Sequence, residues 1–397
     1  MGVVNVLYVI DTLKIGGAQH HLLSLVKGLD CQRFRPLVCT LGPATDLSRE
    51  LDRQGVTVRT LDLANIYGRQ ARREFPRLVG WIREHDVGLV HTYLPSANIY
   101  GSLAARLAGV SAVITSRRDM GFSRSKRLGV IEQLFVNPFV QRVMAVCDAV
   151  GQKASREWFL HPRKVVTIYN GVDLEPALGS AESGASEVGS DLGVLEERST
   201  VTIVASLSPV KAHEVFLAAA ARVIRSGSLA SFIVVGDGPR LEECRSLARE
   251  YEIDDYVQFT GELSRQRTRE VLELTDIGVS TSKTEGMSNA LLDFMAQAKP
   301  VVASRVGGNP ELVDDGRSGL LFPAGDSRAL AEALQHLMRD TNLAAEMGRQ
   351  GQRRIETHFS RERMLREVEA LYTEVLGALD TPQQARVARE SPERGRS

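Results

Sequence analysis

The segment Thr284–Glu285–Gly286–Met287–Ser288–Asn289–Ala290–Leu291–Leu292–Asp293 sets two carboxylates on either side of a glycine and small polar residues. Ser288 or Asn289 suits a helix N-cap, and Leu291, Leu292 and Met295 give a helix predicted over 289–298 its apolar face. The first free N–H groups of such a helix point at an anion, and Gly286 lets that anion approach the backbone. Glu285 then stands beside the anion just before the helix, and Asp293 projects from inside it. Met287, Ser288 and Asn289 complete the loop. A pyrophosphate flanked by groups that bind hydroxyls is the chemistry of a nucleotide-sugar site.

A second loop runs from Asp11 through Gly16–Gly17 directly into a helix predicted over 18–29. The diglycine allows a sharp turn and exposes N–H groups at the helix start. It is either a tight strand–helix turn or a contact for phosphate or sugar. The loop lacks G-x-G-x-x-G, which argues against an NAD enzyme. His91, in VHTYLPSAN, follows another strand and is either a site residue or a satisfied structural histidine. His20 and His21 are adjacent and cannot share a helix face. RRDMGFSRSKR at 117–127 holds five basic residues and one acidic. It is either a solvated loop or, through Arg117, Arg118 and their neighbours, a contact for an anionic acceptor or membrane. Arg69, Arg72, Arg73 and Arg77 form a second basic group, but no nucleic-acid recognition motif accompanies the charge. No Asp-x-Asp or histidine cluster suggests a metal.

Positioning these loops requires a scaffold, and its pattern is regular. Short apolar runs alternate with amphipathic segments, as in parallel sheets covered by helices. The first half predicts strands at 3–10, 36–41, 56–62, 87–92, 111–116, 143–147 and 165–169. A Gly/Ser/Ala-rich stretch at 179–191 reads as linker within a boundary region of 173–199. Strands restart at 201–206, 231–235, 257–260, 277–281 and 300–304, with helices at 213–225, 240–251, 266–275 and 289–298. After 327 the pattern is helical: 327–339, 341–357 and 360–379. The tail 381–397 is polar and predicted to be disordered. The expected organisation is an α/β protein of two Rossmann-like domains, 1–172 and 200–358, with sites off the carboxyl ends of strands.

The chain has 397 residues, 43% hydrophobic and 25% charged, with net charge zero. Residues 1–172 hold 23 Lys+Arg against 13 Asp+Glu, and the remainder holds 26 against 36. A basic half suggests an anionic partner. Four cysteines lack metal-ligand spacing and imply no disulfide framework. MGVVNVLYVID reads as a buried strand, not a signal peptide, and no apolar run reaches membrane-spanning length. The expected location is cytoplasmic, with peripheral membrane contact at most.

The ordered set of motifs resembles the retaining glycosyltransferases of family 4. IGGAQHHLLSLVKGL looks like their opening, IYNGVD at 168–173 their domain junction, and ASLSPVKAHE at 205–214 their phosphate-binding lysine segment. IVVGDGPRLEE at 233–243 is similar to their second βα unit, and the 284–311 stretch to their donor segment. The resemblance implies the GT-B architecture, two facing Rossmann-like domains with a C-terminal helix (359–380) crossing back to the first. It implies a nucleotide-diphosphate sugar as donor, most often a UDP-sugar, and a glycan or lipid-linked acceptor, with no metal. Lys211 would neutralise the diphosphate, Glu285 would hold the transferred sugar, and Asp293 would bind the ribose. Gly16 and Gly17 would lie near the donor phosphates and acceptor, with His91 the best acceptor-side histidine. The blander alternatives are a solvated lysine and two surface carboxylates.

Three departures stand out. The family usually has glutamate at Asp293, an arginine where Ser206 and Ser208 stand, and a histidine where Arg117, Arg118 and Asp119 stand. Arg305 is one residue that could compensate for the missing arginine. Two rival functions remain open: a GT-B nucleotide-sugar epimerase, and a catalytically silent nucleotide-sugar-binding module.

Overall fold

A computed structural model describes residues 2–14, 16–122, 125–174, 189 and 197–390, with side chains as far as 379. Most of the predicted linker, Arg124 and the final seven residues lie outside this set. The chain divides into two units, Met1–Tyr169 with Glu362–Ser397, and Asn170–Arg361.

The first unit holds a seven-stranded parallel sheet: β1 Val4–Ile10, β2 Phe34–Thr40, β3 Thr57–Thr60, β4 Val87–Tyr93, β5 Ala112–Arg117, β6 Arg142–Ala145 and β7 Val165–Thr167. Their spatial order is β3-β2-β1-β4-β5-β6-β7. The apolar run at 6–10 is explained by burial on both faces. Leu7 and Val9 face one core, with Trp81, Ala104 and Val143. Val6, Tyr8 and Ile10 face the other, with Leu22, Leu25 and the last helix, Arg361–Glu390. That helix buries Met364, Val368, Leu371, Tyr372 and Val375 at the predicted spacing.

The second unit holds β8 Ser199–Val204, β9 Ala230–Val235, β10 Val257–Gly261, β11 Ile277–Ser280, β12 Val301–Ser304 and β13 Leu320–Phe322. Their parallel order is β10-β9-β8-β11-β12-β13. Each sheet therefore reverses its direction of growth once, between β1 and β4 and between β8 and β11. Sites in doubly wound sheets form at such reversals, off the carboxyl ends of the strands. β13 is absent from the sequence-based assignment because three residues show no periodicity.

The predicted junction motif has a physical cause. Val172 bridges Ser360, its N–H donating to Phe359 O at 3.0 Å while Arg361 N–H donates to Val172 O at 3.1 Å. A Cβ on Gly171 would sit 2.6 Å from the Arg361 Cα, so only glycine fits there. All four cysteines are free, with Cys39, Cys147 and Cys244 buried. No helix among the described residues is long and apolar enough to cross a membrane.

Candidate active site

In the second unit, the loop after β8 tightens into a single turn, Pro209–Lys211, before the helix His213–Arg225. The loop after β11 leads into the helix Asn289–Ala296, capped by Ser288, whose hydroxyl accepts from Leu291 N–H at 3.4 Å. Because β8 and β11 are neighbours, the two loops meet. Lys283 N–H donates to Val210 O at 2.8 Å, and the Thr281 hydroxyl donates to Lys211 O at 2.8 Å. The Lys211 ammonium lies 2.5 Å from Glu285 Oε2, which also accepts from the Ser282 hydroxyl at 2.9 Å. The two residues are brought together as an ion pair, with side chains 22% and 10% exposed.

The diglycine after β12 closes this arrangement from below. Gly308 N–H donates to Gly286 O at 2.8 Å. Gly307 has φ +51°, and a Cβ there would fall 1.7 Å from Glu285 O. The Glu285 backbone is thus seated on a position only glycine can occupy. Met287 is buried, and Asn289 accepts from Asn170 of the junction motif at 2.7 Å. Asp293 reaches solvent, yet surrounding chain strips enough water to push its carboxyl up to about 7. Arg265 opposes that rise and Asp173 adds to it.

Nearby charges were not anticipated from the sequence. Glu214 accepts from Lys283 at 2.7 Å and from Arg240 at 2.6 Å. Burial works against its ionisation, but these two cations hold its carboxyl below the ordinary range. Arg305 pairs with Asp315, and Ser206 and Ser208 hydrogen-bond each other at 3.4 Å. His213 is 1% exposed, neither ring nitrogen has a partner, and burial pushes it down to about 4. It is neutral at pH 7.

In the first unit, two candidate residues lie inside the fold. His91 is fully buried, with Nε2 2.8 Å from the Ser116 hydroxyl and Nδ1 2.6 Å from the Tyr372 hydroxyl. Burial, then the nearby Arg118 charge, pushes it down to about 3. Both ring nitrogens are therefore engaged within the folded chain. Arg117 is likewise enclosed, between Glu132 at 2.6 Å and Glu157 at 3.0 Å, and its charge is neutralised inside the fold. Arg118 is crowded beside His21, His91 and Tyr93, and burial lowers its guanidinium to about 10. It lines a small open hollow of about 40 Å³ with Asn98, Ser116, Arg117 and Lys153. Gly16 precedes the helix Gly17–Gly28 with no side-chain cap, leaving the first N–H groups of that helix free of one. Asp11, at the end of β1, instead accepts from Ala97 N–H at 2.6 Å and Ser96 N–H at 3.3 Å. Burial pushes its carboxyl up to about 6. Among the described residues no group of three or more His, Cys, Asp or Glu side chains could hold a metal ion.

Two family models match, Glycosyltransferase Family 4 over residues 15–176 and Glycosyl transferases group 1 over 198–340. A D-inositol 3-phosphate glycosyltransferase of Saccharomonospora viridis is 30% identical over 76% of this chain and 68% of its own. The chain belongs to the glycosyltransferases of family 4.

Other relatives of this family-4 glycosyltransferase differ in what their names specify. An Escherichia coli UDP-Gal:α-D-GlcNAc-diphosphoundecaprenol α-1,3-galactosyltransferase is 27% identical over 65% of this chain and 68% of its own. The N-acetyl-α-D-glucosaminyl L-malate synthase of Bacillus anthracis is 26% identical, and the match spans 54% of this chain and 55% of that protein. Among solved structures, Anabaena HepE in complex with UDP and glucose superposes with TM-score 0.82 at 20% identity, over 94% of this chain and 100% of that one. The fold is GT-B.

Sequence reasoning missed Ser282, the Glu214–Lys283–Arg240 cluster and the Asn170–Asn289 bond in this glycosyltransferase. Ser282 stands three residues before Glu285 at a strand end, which is the one signal that could have found it. The others join residues far apart in the chain and leave no local pattern.

Proposed function

We propose that the protein is a retaining transferase that moves a sugar from a UDP-sugar to a lipid-linked or glycan acceptor, building a cell-surface polysaccharide or glycolipid. The observation that carries this reading is the Lys211–Glu285 pair at the β8/β11 reversal, before the capped helix start at Ser288. A diphosphate entering there competes for the Lys211 ammonium. As Lys211 turns to the phosphates, Glu285 is released to accept hydrogen bonds from sugar hydroxyls. The helix N-terminus adds donors, and Asp293 accepts from the ribose. Lys211 stabilises charge as the diphosphate leaves, a task preorganised cations do well. The leaving diphosphate then takes the acceptor proton on the same face, so the anomeric configuration is retained. No metal is needed in this scheme. UDP is favoured by the UDP and glucose held in HepE and the UDP-Gal donor of the E. coli relative. A mannosyltransferase relative from Mycobacterium tuberculosis is named as GDP-mannose-dependent, so the donor panel must contain both nucleotides.

Nucleotide release from such a panel, with and without acceptor, tests the reading. Acceptor-dependent UDP release that survives EDTA supports it. Acceptor-independent release points to an epimerase, and binding without release points to a silent module. An inverted anomeric signal in the product's proton spectrum would overturn the retaining mechanism. The proposed setting is the cytoplasmic face of an anionic membrane, where a lipid-linked acceptor would be met.

A further inference from the structure

The basic loop was expected to carry any membrane contact, but Arg117 is internal and the exposed features lie beside it. The helix Lys126–Phe135 shows Val130 and Leu134, one turn apart, at 42% exposure each, and ends on Phe135 at 54%. Trp158 and Phe159 are each 63% exposed. They adjoin that helix: Trp158 N–H donates to the Gln133 side chain at 2.9 Å, and the Asn137 amide donates to Trp158 O at 3.1 Å. Phe159 has φ +60°, a conformation disfavoured for a bulky residue, and holds its ring outside the core. Apolar groups clustered at a surface in this way mark an interaction site.

The charge around the patch indicates the partner. Residues 120–164 contain eight Lys+Arg and three Asp+Glu. Two of those acids, Glu132 and Glu157, are turned inward onto Arg117, and Asp148 accepts from the Tyr169 hydroxyl at 3.3 Å. Lys126, Arg127, Arg156 and Arg163 are exposed. Arg127 sits 5.1 Å over the ring of Tyr67, itself 41% exposed. Aromatic and aliphatic side chains fringed by basic residues match a bilayer interface, where rings enter the headgroup layer and cations meet lipid phosphate.

We propose that this face seats the first unit on an anionic lipid bilayer, with Leu134, Phe135, Trp158 and Phe159 entering the headgroup region. Lys126, Arg127, Arg156 and Arg163 pair with the phosphates around them. The proposal deepens the lipid-linked-acceptor reading and rests on it only for the choice of a bilayer over a protein. Sedimentation of the full chain with vesicles tests it, comparing phosphatidylcholine alone with an equal mixture of phosphatidylcholine and phosphatidylglycerol. The wild type should bind only the anionic vesicles, and less as salt rises. The double variant Trp158→Ala/Phe159→Ala, and separately Lys126→Gln/Arg127→Gln, should each bind at least roughly tenfold more weakly. UDP affinity should be unchanged in both, which separates this result from any failure of the donor site. Trp81 is buried, so a blue shift of tryptophan emission on vesicles reports Trp158. Equal binding to both vesicle types, no binding to either, or full binding by the aromatic variant would overturn the proposal. Concentration-dependent dimerisation abolished by the aromatic variant would overturn it in favour of a second copy of this chain.

Discussion

Lys211 and Glu285 each depend on the other. With Ser206 and Ser208 where the family usually has arginine, and Arg305 held by Asp315, Lys211 is the cation this loop supplies. Lys211→Ala should lower turnover by roughly two to three orders of magnitude, the usual effect of losing a preorganised donor at a developing charge. Steady-state kinetics checks it; a variant keeping half the turnover would assign the charge elsewhere, with Lys283 and Arg240 the nearest groups to examine.

Asp293 gives a pH dependence with a definite sign. Its carboxyl is raised to about 7, so in the free protein the carboxylate fraction grows as pH rises through that value. A ribose hydroxyl donates to carboxylate, so UDP affinity should strengthen as pH rises through about 7 and weaken below it. Titrations of wild type and Asp293→Asn over pH 6 to 8 (about one unit on either side) isolate this term, because the nucleotide's own phosphate titrates in both. A wild-type profile parallel to that of Asp293→Asn would remove Asp293 from the site. Glu285 and Asp293 stood out as candidates because they share one short segment, and Lys211 because of its own separate segment at 205–214. The enclosure of His91 was not legible, because its partner Tyr372 arrives from the other end of the chain. The ion pairs of Arg117 were not legible either, because Glu132 and Glu157 are its neighbours only in space.

At the scale of elements, the site is made by loops following adjacent strands, and the contacts between those loops decide its geometry. Gly307 is the strictest of these contacts, since any side chain there meets Glu285 O. Gly307→Ala should cost about 1–3 kcal/mol in stability. By shifting Glu285, it should also lower turnover by roughly a hundredfold, the scale of a small misplacement. A denaturant midpoint and a rate measured on one preparation test both; a fully active variant would show that the loop has freedom the backbone contact denies. The strands themselves were readable as short apolar runs, because burial on both faces leaves little else in them. Their order was not readable, since any parallel arrangement gives the same runs. The placement of Lys211 next to Glu285 therefore waited on the adjacency of β8 and β11.

For the whole molecule, the final helix completes the core of the first unit. Tyr372 reaches both His91 and Tyr8, and Glu369 accepts from Asp30 N–H at 2.9 Å and pairs with Arg33 at 3.4 Å. Glu374 pairs with Arg142. The basic character of residues 1–172 is therefore reduced, though not cancelled, by acids from the far end of the chain. Leu371→Ala, deep in this contact at 4% exposure, should destabilise the protein by about 2–5 kcal/mol. An unchanged midpoint in chemical denaturation would show that the helix is a peripheral attachment. Its amphipathic period was plain in the sequence. The core it enters was not, because periodicity reports that a face is buried but not against what.

The central claim is a division of labour at one ion pair, with Lys211 for the diphosphate and Glu285 for the sugar. Calorimetric titration of UDP and of the intact UDP-sugar into wild type and Glu285→Gln tests it most directly. Glu285→Gln should bind UDP within about threefold of wild type, or more tightly because Lys211 is released. Any advantage of the intact UDP-sugar over UDP should disappear. Loss of UDP affinity by more than roughly tenfold, with the sugar's contribution intact, would contradict the account.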